Sequence, residues 1–211
     1  MNESKAVKRG YSSSVRAEAA DETRSRILSS ARALFGDQGI EAVTIAEIAR
    51  SSQVSASTVY AVFTSKEGIL RGLMEQALFG GQYQSAQQIL AGVVDPVEAI
   101  ALTARIARSI YESESSELGP LRNVSGYAPA LQKIEEEFEQ ARYNMQHERV
   151  RQLFAAGRAK QGLTMEEARR ILWMYTSRDV YRMLVVNGGW THDRFEEWLS
   201  NTLVEALAGS N

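Results

Sequence analysis

TIAEIARSSQVSASTVYAVF, residues 44–63, decides how this chain reads. Thr44 stands three residues before Glu47, and Ile45, Ile48 and Ala49 follow at helical spacing. That is a capping box opening a short helix: the Thr hydroxyl and the Glu carboxylate each satisfy backbone donors of the first turn. Ser55 opens a second helix, with Val59 and Phe63 four residues apart on one face. Two short helices joined by about three residues suggest a helix-turn-helix. The second helix is chemically bland. From Val54 to Thr64 there is no charged side chain, no Asn and no Gln.

Outward from this stretch the periodicity stays helical. Ile27, Leu28, Ala31, Leu34 and Phe35 mark one face of a preceding helix, stopped by Gly39. Ser65 caps a following one that carries Ile69, Leu70, Leu73, Met74, Ala77 and Leu78 inward. Asp95-Pro96 starts a helix to about Tyr111, since proline suits a first helical position. Residues 113–129, SESSELGPLRNVSGYAP, are rich in breakers and read as a loop with a short helical piece. From Ala130 a long helix shows Leu131, Ile134, Phe138, Ala141 and Met145, ending near Gly157. Thr164 with Glu167 is a second capping box, Ser177 a further cap, and Gly188-Gly189 a stop. Thr191 caps the last helix, striped by Phe195, Trp198, Leu199, Leu203 and Leu207. There is no strand alternation and no repeat. The fold class is all-α: an N-terminal helix-turn-helix domain and a larger helical C-terminal domain.

The 211 residues suffice for one large or two small domains. With no cysteine there are no disulfides and no thiolate metal sites, which suits a reducing compartment. No signal-like run and no 18-residue apolar stretch occurs, so a cytoplasmic location is expected. The net charge of −2 does not itself suggest nucleic acid. Its distribution says more: residues 1–72 hold 10 Lys/Arg and 8 Asp/Glu, residues 73–211 hold 14 and 18. Lys5, Lys8, Arg9 and Arg16 face Glu3 alone in the first 17 residues. That makes a basic arm, either a plain tail or a nucleic-acid contact.

The stretch Thr23 to Leu70 resembles the DNA-binding domain of TetR-family transcriptional regulators, without gaps. The matching landmarks are Thr23-Arg24, Ile27-Leu28, Ala33-Leu34-Phe35, Gly39, Thr44-Ile45, Ile48-Ala49, Val54-Ser55, Thr58-Val59-Tyr60, Phe63, Ser65-Lys66-Glu67 and Leu70. The resemblance implies a flexible basic arm at 1–22, a DNA-binding domain at 23–67, and an effector-binding and dimerisation domain at 68–211. It implies that Thr44 gives its hydroxyl and backbone N–H to a phosphate. Ser55, Ala56, Ser57 and Thr58 would face base edges, and Tyr60 and Lys66 would contact phosphates. Val54, Val59 and Phe63 read as core, and a half-buried ring is the competing reading of Tyr60. Arg9 or Arg16 could enter an adjacent minor groove.

The sequence departs from the family pattern at three places. Ala56 and Ser57 stand where Lys or Arg and Gly are common, and Ala61 and Val62 where polar residues are common. Gln53 holds the turn position usual for Gly. Small hydroxyls and methyls make no bidentate base contact, so direct readout should be modest, with specificity leaning on half-site spacing, DNA shape and the basic arm.

By the same resemblance the chain is a homodimeric repressor released from a palindromic DNA operator by a small-molecule effector. Expected dimer residues are Val180, Met183, Leu184, Phe195, Trp198, Leu199 and Leu203, some of which must be core. Pocket candidates are Tyr83, Arg105, Arg108, Tyr111, Tyr127, Phe138, Met145, Trp173 and Met174, each competing with an aromatic-core reading. A sensor of this kind calls for a cavity of several hundred Å3. The alternative is a DNA-binding protein regulated by a protein partner. An enzyme is not expected, nor a cofactor or metal. There is no G-x-S-x-G, G-x-G-x-x-G or P-loop, and only His147 and His192 among histidines.

Overall fold

A computed structural model describes residues 4–125 and 129–209, with side chains for 15–119 and 132–209. Among the described residues the architecture is helical, with one isolated bridge between Ala159 and Ala208. None of these helices is long and apolar enough to cross a membrane. The chain divides into two compact units, Met1–Leu73 with Leu118–Leu131, and Met74–Glu117 with Gln132–Asn211.

The first unit holds α1 (Ser4–Gln38), α2 (Ile45–Ser51), α3 (Ala56–Phe63) and the start of α4 (Lys66–Phe79). Its core is Ile27, Leu28, Ala31, Phe35, Ile40, Val43, Ile48, Val59, Phe63, Ile69, Leu70 and Leu73, all buried. Each large apolar side chain buried there contributes roughly 1.5–3 kcal/mol. The capping box at α2 is complete: Thr44 Oγ1 accepts from the Glu47 N–H, and Glu47 accepts the Thr44 N–H at 2.8 Å. Gln53 sits in the turn at φ +57°, the left-handed region. An L side chain there costs about 1 kcal/mol relative to Gly. Gln53→Gly should therefore stabilise the first unit by roughly 0.5–1 kcal/mol, the gain trimmed by the freer unfolded chain. A urea midpoint that rises with an unchanged slope is the check.

The second unit contains the end of α4, α5 (Gly81–Ala91), most of α6 (Pro96–Ser125) and α7 (Pro129–Met145), α8 (His147–Ala155), α9 (Met165–Tyr175), α10 (Arg178–Tyr181) and α11 (His192–Leu207). A π-helical turn, Arg182–Val186, continues α10. Gly189 at φ +68° ends it, and an added Cβ at Gly188 would lie 2.6 Å from the Leu184 carbonyl. The end of α11 is tied down by Lys160 N–H to Leu207 O at 2.8 Å and Gly209 N–H to Arg158 O at 2.9 Å.

One expectation needs correction. The stretch from 113 is no loop: α6 runs unbroken to Ser125. Glu114 is buried on Arg178 of α10 at 2.9 Å, so a tertiary ion pair overrides local propensity. The basic arm, by contrast, is helical where it is described. It is the start of α1, which begins at Ser4, and its residues 15–22 are exposed.

Candidate nucleic-acid interface and effector cavity

The reading face is built from α3 upward. Val59 and Phe63 are buried and seat the helix. Arg24 stacks on the Phe63 ring at 4.7 Å, and Gly72 lets α4 close in, since a Cβ there would lie 2.9 Å from that ring. The opposite face is open: Ser55, Ala56, Ser57, Tyr60 and Ala61 are exposed, Thr58 half-buried. Tyr60 is 54% exposed, so the half-buried core reading of its ring gives way.

The hydroxyls of the first turn hold one another. Ser55 Oγ lies 2.7 Å from Ser57 Oγ and 2.8 Å from Thr58 Oγ1, and accepts the Thr58 N–H at 3.0 Å. They present a preorganised cluster of rotors, each able to donate or accept.

Two expected phosphate contacts, Lys66 and Thr44, and the expected minor-groove arginines take these places in the structure. The Lys66 ammonium is turned onto the carbonyls of Ile40, Glu41 and Val43 at 2.9, 3.3 and 3.4 Å. Lys66 therefore ties α4 to the α1–α2 connection, because an ammonium carries only three donors. The Thr44 hydroxyl donates to Glu47 at 2.7 Å and its N–H goes to the same oxygen. That backbone bond, with the hydroxyl, holds the exposed Glu47 carboxyl below its usual range. Arg9 lies in the helical stretch of α1, its side chain outside the described ones, and Arg16 is exposed on the same helix. A helix is about 10–12 Å across and the minor groove about 6 Å wide, so an α-helical arm cannot enter that groove as an extended one does.

Residues 27–73, which span this reading face, match the family model for bacterial regulatory proteins of the tetR family. This stretch is therefore a tetR-family DNA-binding domain. The HTH-type transcriptional regulator UidR of Escherichia coli (strain K12) is 30% identical over 91 residues, 43% of this chain and 42% of the relative. HbdR of Aromatoleum sp. (strain CIB), also an HTH-type transcriptional regulator, is 35% identical over 80 residues, 38% of this chain and 34% of its own. The chain thus matches less than half the length of these relatives. NalD, the secondary repressor of the MexAB-OprM multidrug efflux pump in Pseudomonas aeruginosa, shares the fold with a TM-score of 0.66. It is 23% identical, with 90% of this chain and 98% of NalD covered.

In the second unit a cavity of about 30 Å3 lies among α5 to α9. Of the pocket candidates it is lined by Tyr83, Tyr111 and Met145. Tyr111 is buried and donates to Thr176 O at 2.8 Å, and burial pushes its phenol pKa up. The other described candidates lie elsewhere. Arg108 binds Glu112, Asp193 and Glu196, and Arg105 is exposed, both on an open surface groove. Phe138 packs on Phe79, Trp173 lies under Arg142, and Met174 is 48% exposed. Tyr127 lies outside the described residues.

The cavity's polar lining was missed: Gln87, Thr103, Arg142, Gln146, Arg149 and Thr176. The signal existed, because Arg142, Met145, Gln146 and Arg149 repeat at i, i+3, i+4 and i+7. They line one side of the α7–α8 junction, polar but for Met145. Arg142 is saturated by Glu139, Trp173 O and Thr176. Gln146 donates to Thr176 Oγ1 at 2.8 Å, but its buried Oε1 has no partner.

The expected dimer residues divide by burial. Phe195, Leu199 and Leu203 are fully buried within the chain, with Leu207 on the same stripe. They are core and cannot also face a second copy. Val180, Leu184 and Trp198 are half-buried, while Met183 and Val186 are 56% and 59% exposed.

Proposed function

We propose that this protein is a cytoplasmic, homodimeric DNA-binding repressor that leaves a palindromic operator when a small molecule occupies its second unit. The observation that carries the DNA reading is the exposed first turn of α3 with Tyr60 beside it, on a helix seated by Val59 and Phe63. Ser55, Ala56, Ser57 and Thr58 meet base edges, and Tyr60 donates to a phosphate. The basic start of α1, with Arg9 and Arg16, lies along the phosphates as a helix. The partly exposed apolar face of Val180, Met183, Leu184 and Trp198, with Val186 and Met174, seats the second copy. NalD, a repressor with the same fold, supports the direction of regulation.

A gel shift with DNA from the protein's own promoter region tests this. Tyr60→Phe should weaken binding about tenfold, the worth of one good hydrogen bond to a charged group. Deleting residues 1–17 should flatten the salt dependence by about 0.9 for each phosphate the shortened chain no longer neutralises. Binding to promoter and unrelated DNA alike, unchanged by Tyr60→Phe, refutes the reading head.

A second reading has its own support. The cavity of about 30 Å3 is far below what a typical ligand fills. That favours a DNA-binding protein controlled by a protein partner. A ligand screen for release of the operator complex separates the two.

A further inference from the structure

The cavity of the second unit contains a cation with no counter-charge. The Arg149 guanidinium lines it and has no hydrogen-bond or ion-pair partner among the described residues. Burial holds its pKa below the usual guanidinium value, and only the nearby Tyr83 phenol works the other way. Its neighbour across the α7–α8 junction behaves differently, since Arg142 is neutralised by Glu139. A half-buried, unanswered guanidinium costs stability, and such a cost is commonly kept where a ligand repays it.

One turn away, Gln146 is 3% exposed and its Oε1 is an acceptor without a donor. Tyr83 accepts from Gln87 at 2.6 Å and reaches only the Met145 sulfur, at 3.9 Å, with its own proton. It can turn that proton to a stronger acceptor. The rest of the wall is apolar, with Ile106, Ala107 and Ile110. The space, about 30 Å3, holds about two waters, the room needed by the two oxygens of a carboxylate. Met145, unbranched and 45% exposed, is the wall that can swing aside for a larger body.

We propose that this cavity takes a small organic acid that also carries a hydroxyl or N–H donor. Its carboxylate sits on Arg149 and Tyr83, its donor on Gln146 Oε1, and its apolar body against Ile106, Ala107 and Ile110. A planar guanidinium fits a carboxylate with two parallel hydrogen bonds. This rests on the sensor reading of the second unit and names the chemical class it senses.

The full chain is titrated with mandelate, its neutral amide mandelamide, and phenylacetate, which lacks the hydroxyl, followed by thermal shift and calorimetry. Mandelate should raise the melting temperature saturably. Mandelamide should bind about tenfold or more weakly, and phenylacetate should fall between the two. Arg149→Met should erase the preference for mandelate over its amide while raising the melting temperature of the ligand-free protein. Gln146→Met should erase the preference for mandelate over phenylacetate. Equal binding of acid and amide overturns the proposal, as does Arg149→Met binding mandelate like the parent. No shift with any of the three to about 10 mM, well above a millimolar Kd, also overturns it. If mandelate binds through Arg149 but leaves the DNA complex intact, the site stands and the release mechanism falls. If a neutral compound alone releases DNA, the sensor stands and the acid-binding site falls.

Discussion

Gly68→Ala should abolish folding of the DNA-binding unit. In an ordinary helix interior the exchange stabilises, by about 1 kcal/mol. Here the sign reverses. A Cβ at Gly68 would lie 1.9 Å from the Phe63 carbonyl oxygen and 3.0 Å from its carbon. These are backbone atoms, and the same carbonyl accepts the Ser65 N–H at 2.6 Å in the tight α3–α4 turn. Thr64, at φ +64°, already strains that turn. Relief requires α4 to back away from Phe63, which anchors α3. The cost should exceed about 4 kcal/mol, outside the range of ordinary point substitutions. Gly72→Ala is the graded control. Its Cβ meets side-chain atoms of Phe63, Leu28 and Arg24 at 2.9, 3.1 and 3.3 Å, which can shift, so about 1–3 kcal/mol is expected. Calorimetry should show the transition of the first unit lost in Gly68→Ala and lowered in Gly72→Ala. Operator binding should follow the same order. A Gly68→Ala protein that melts like the parent would show that α4 does not start this close to Phe63.

The second large effect lies in the second unit. Arg178 bridges Glu114 at 2.9 Å and Glu135 at 3.2 Å, joining α6, α7 and α10. Both carboxylates are buried, at 4% and 7% exposure. Burial works against the charged guanidinium, but the two carboxylates outweigh it and its pKa is raised. Arg178→Met strips both carboxylates of their cation and should cost about 3–5 kcal/mol. The triple variant Arg178→Met, Glu114→Gln, Glu135→Gln should recover most of that, because a buried ion cluster adds little over a neutral replacement. Urea denaturation of the two variants measures it. A single variant as stable as the parent would mean that the carboxylates reach water.

Local chemistry was legible in the sequence, and long-range chemistry was not. The boxes Thr44/Glu47 and Thr164/Glu167 formed as read, because each needs only residues three apart. The caps at Ser55, Ser177 and Thr191 are equally local. Residues 113–125 misled because their helix is held by Arg178, which lies more than sixty residues from Glu114. Phe195, Leu199 and Leu203 looked available for a partner because a stripe does not reveal what covers it. The cavity was obscured for the opposite reason. Aromatic residues drew attention, while the atoms with unmet needs belong to Gln146 and Arg149.

A helix unbroken from Ser4 to Gln38 acts as a rod. Ile27, Leu28, Ala31 and Phe35 fix it in the core, and residues 15–22 are exposed. From Ser4 to Glu22 the rod measures roughly 28 Å at 1.5 Å per residue. A tilt of about 5° at the seat sweeps the far end through roughly 2.5 Å, enough to break any hydrogen bond made there. A loose tail would absorb such a tilt and keep its grip. On the proposed DNA contact, a rigid one would convert sub-ångström repacking around Phe35 into the release of its whole basic end at once, making attachment there a sharp function of angle.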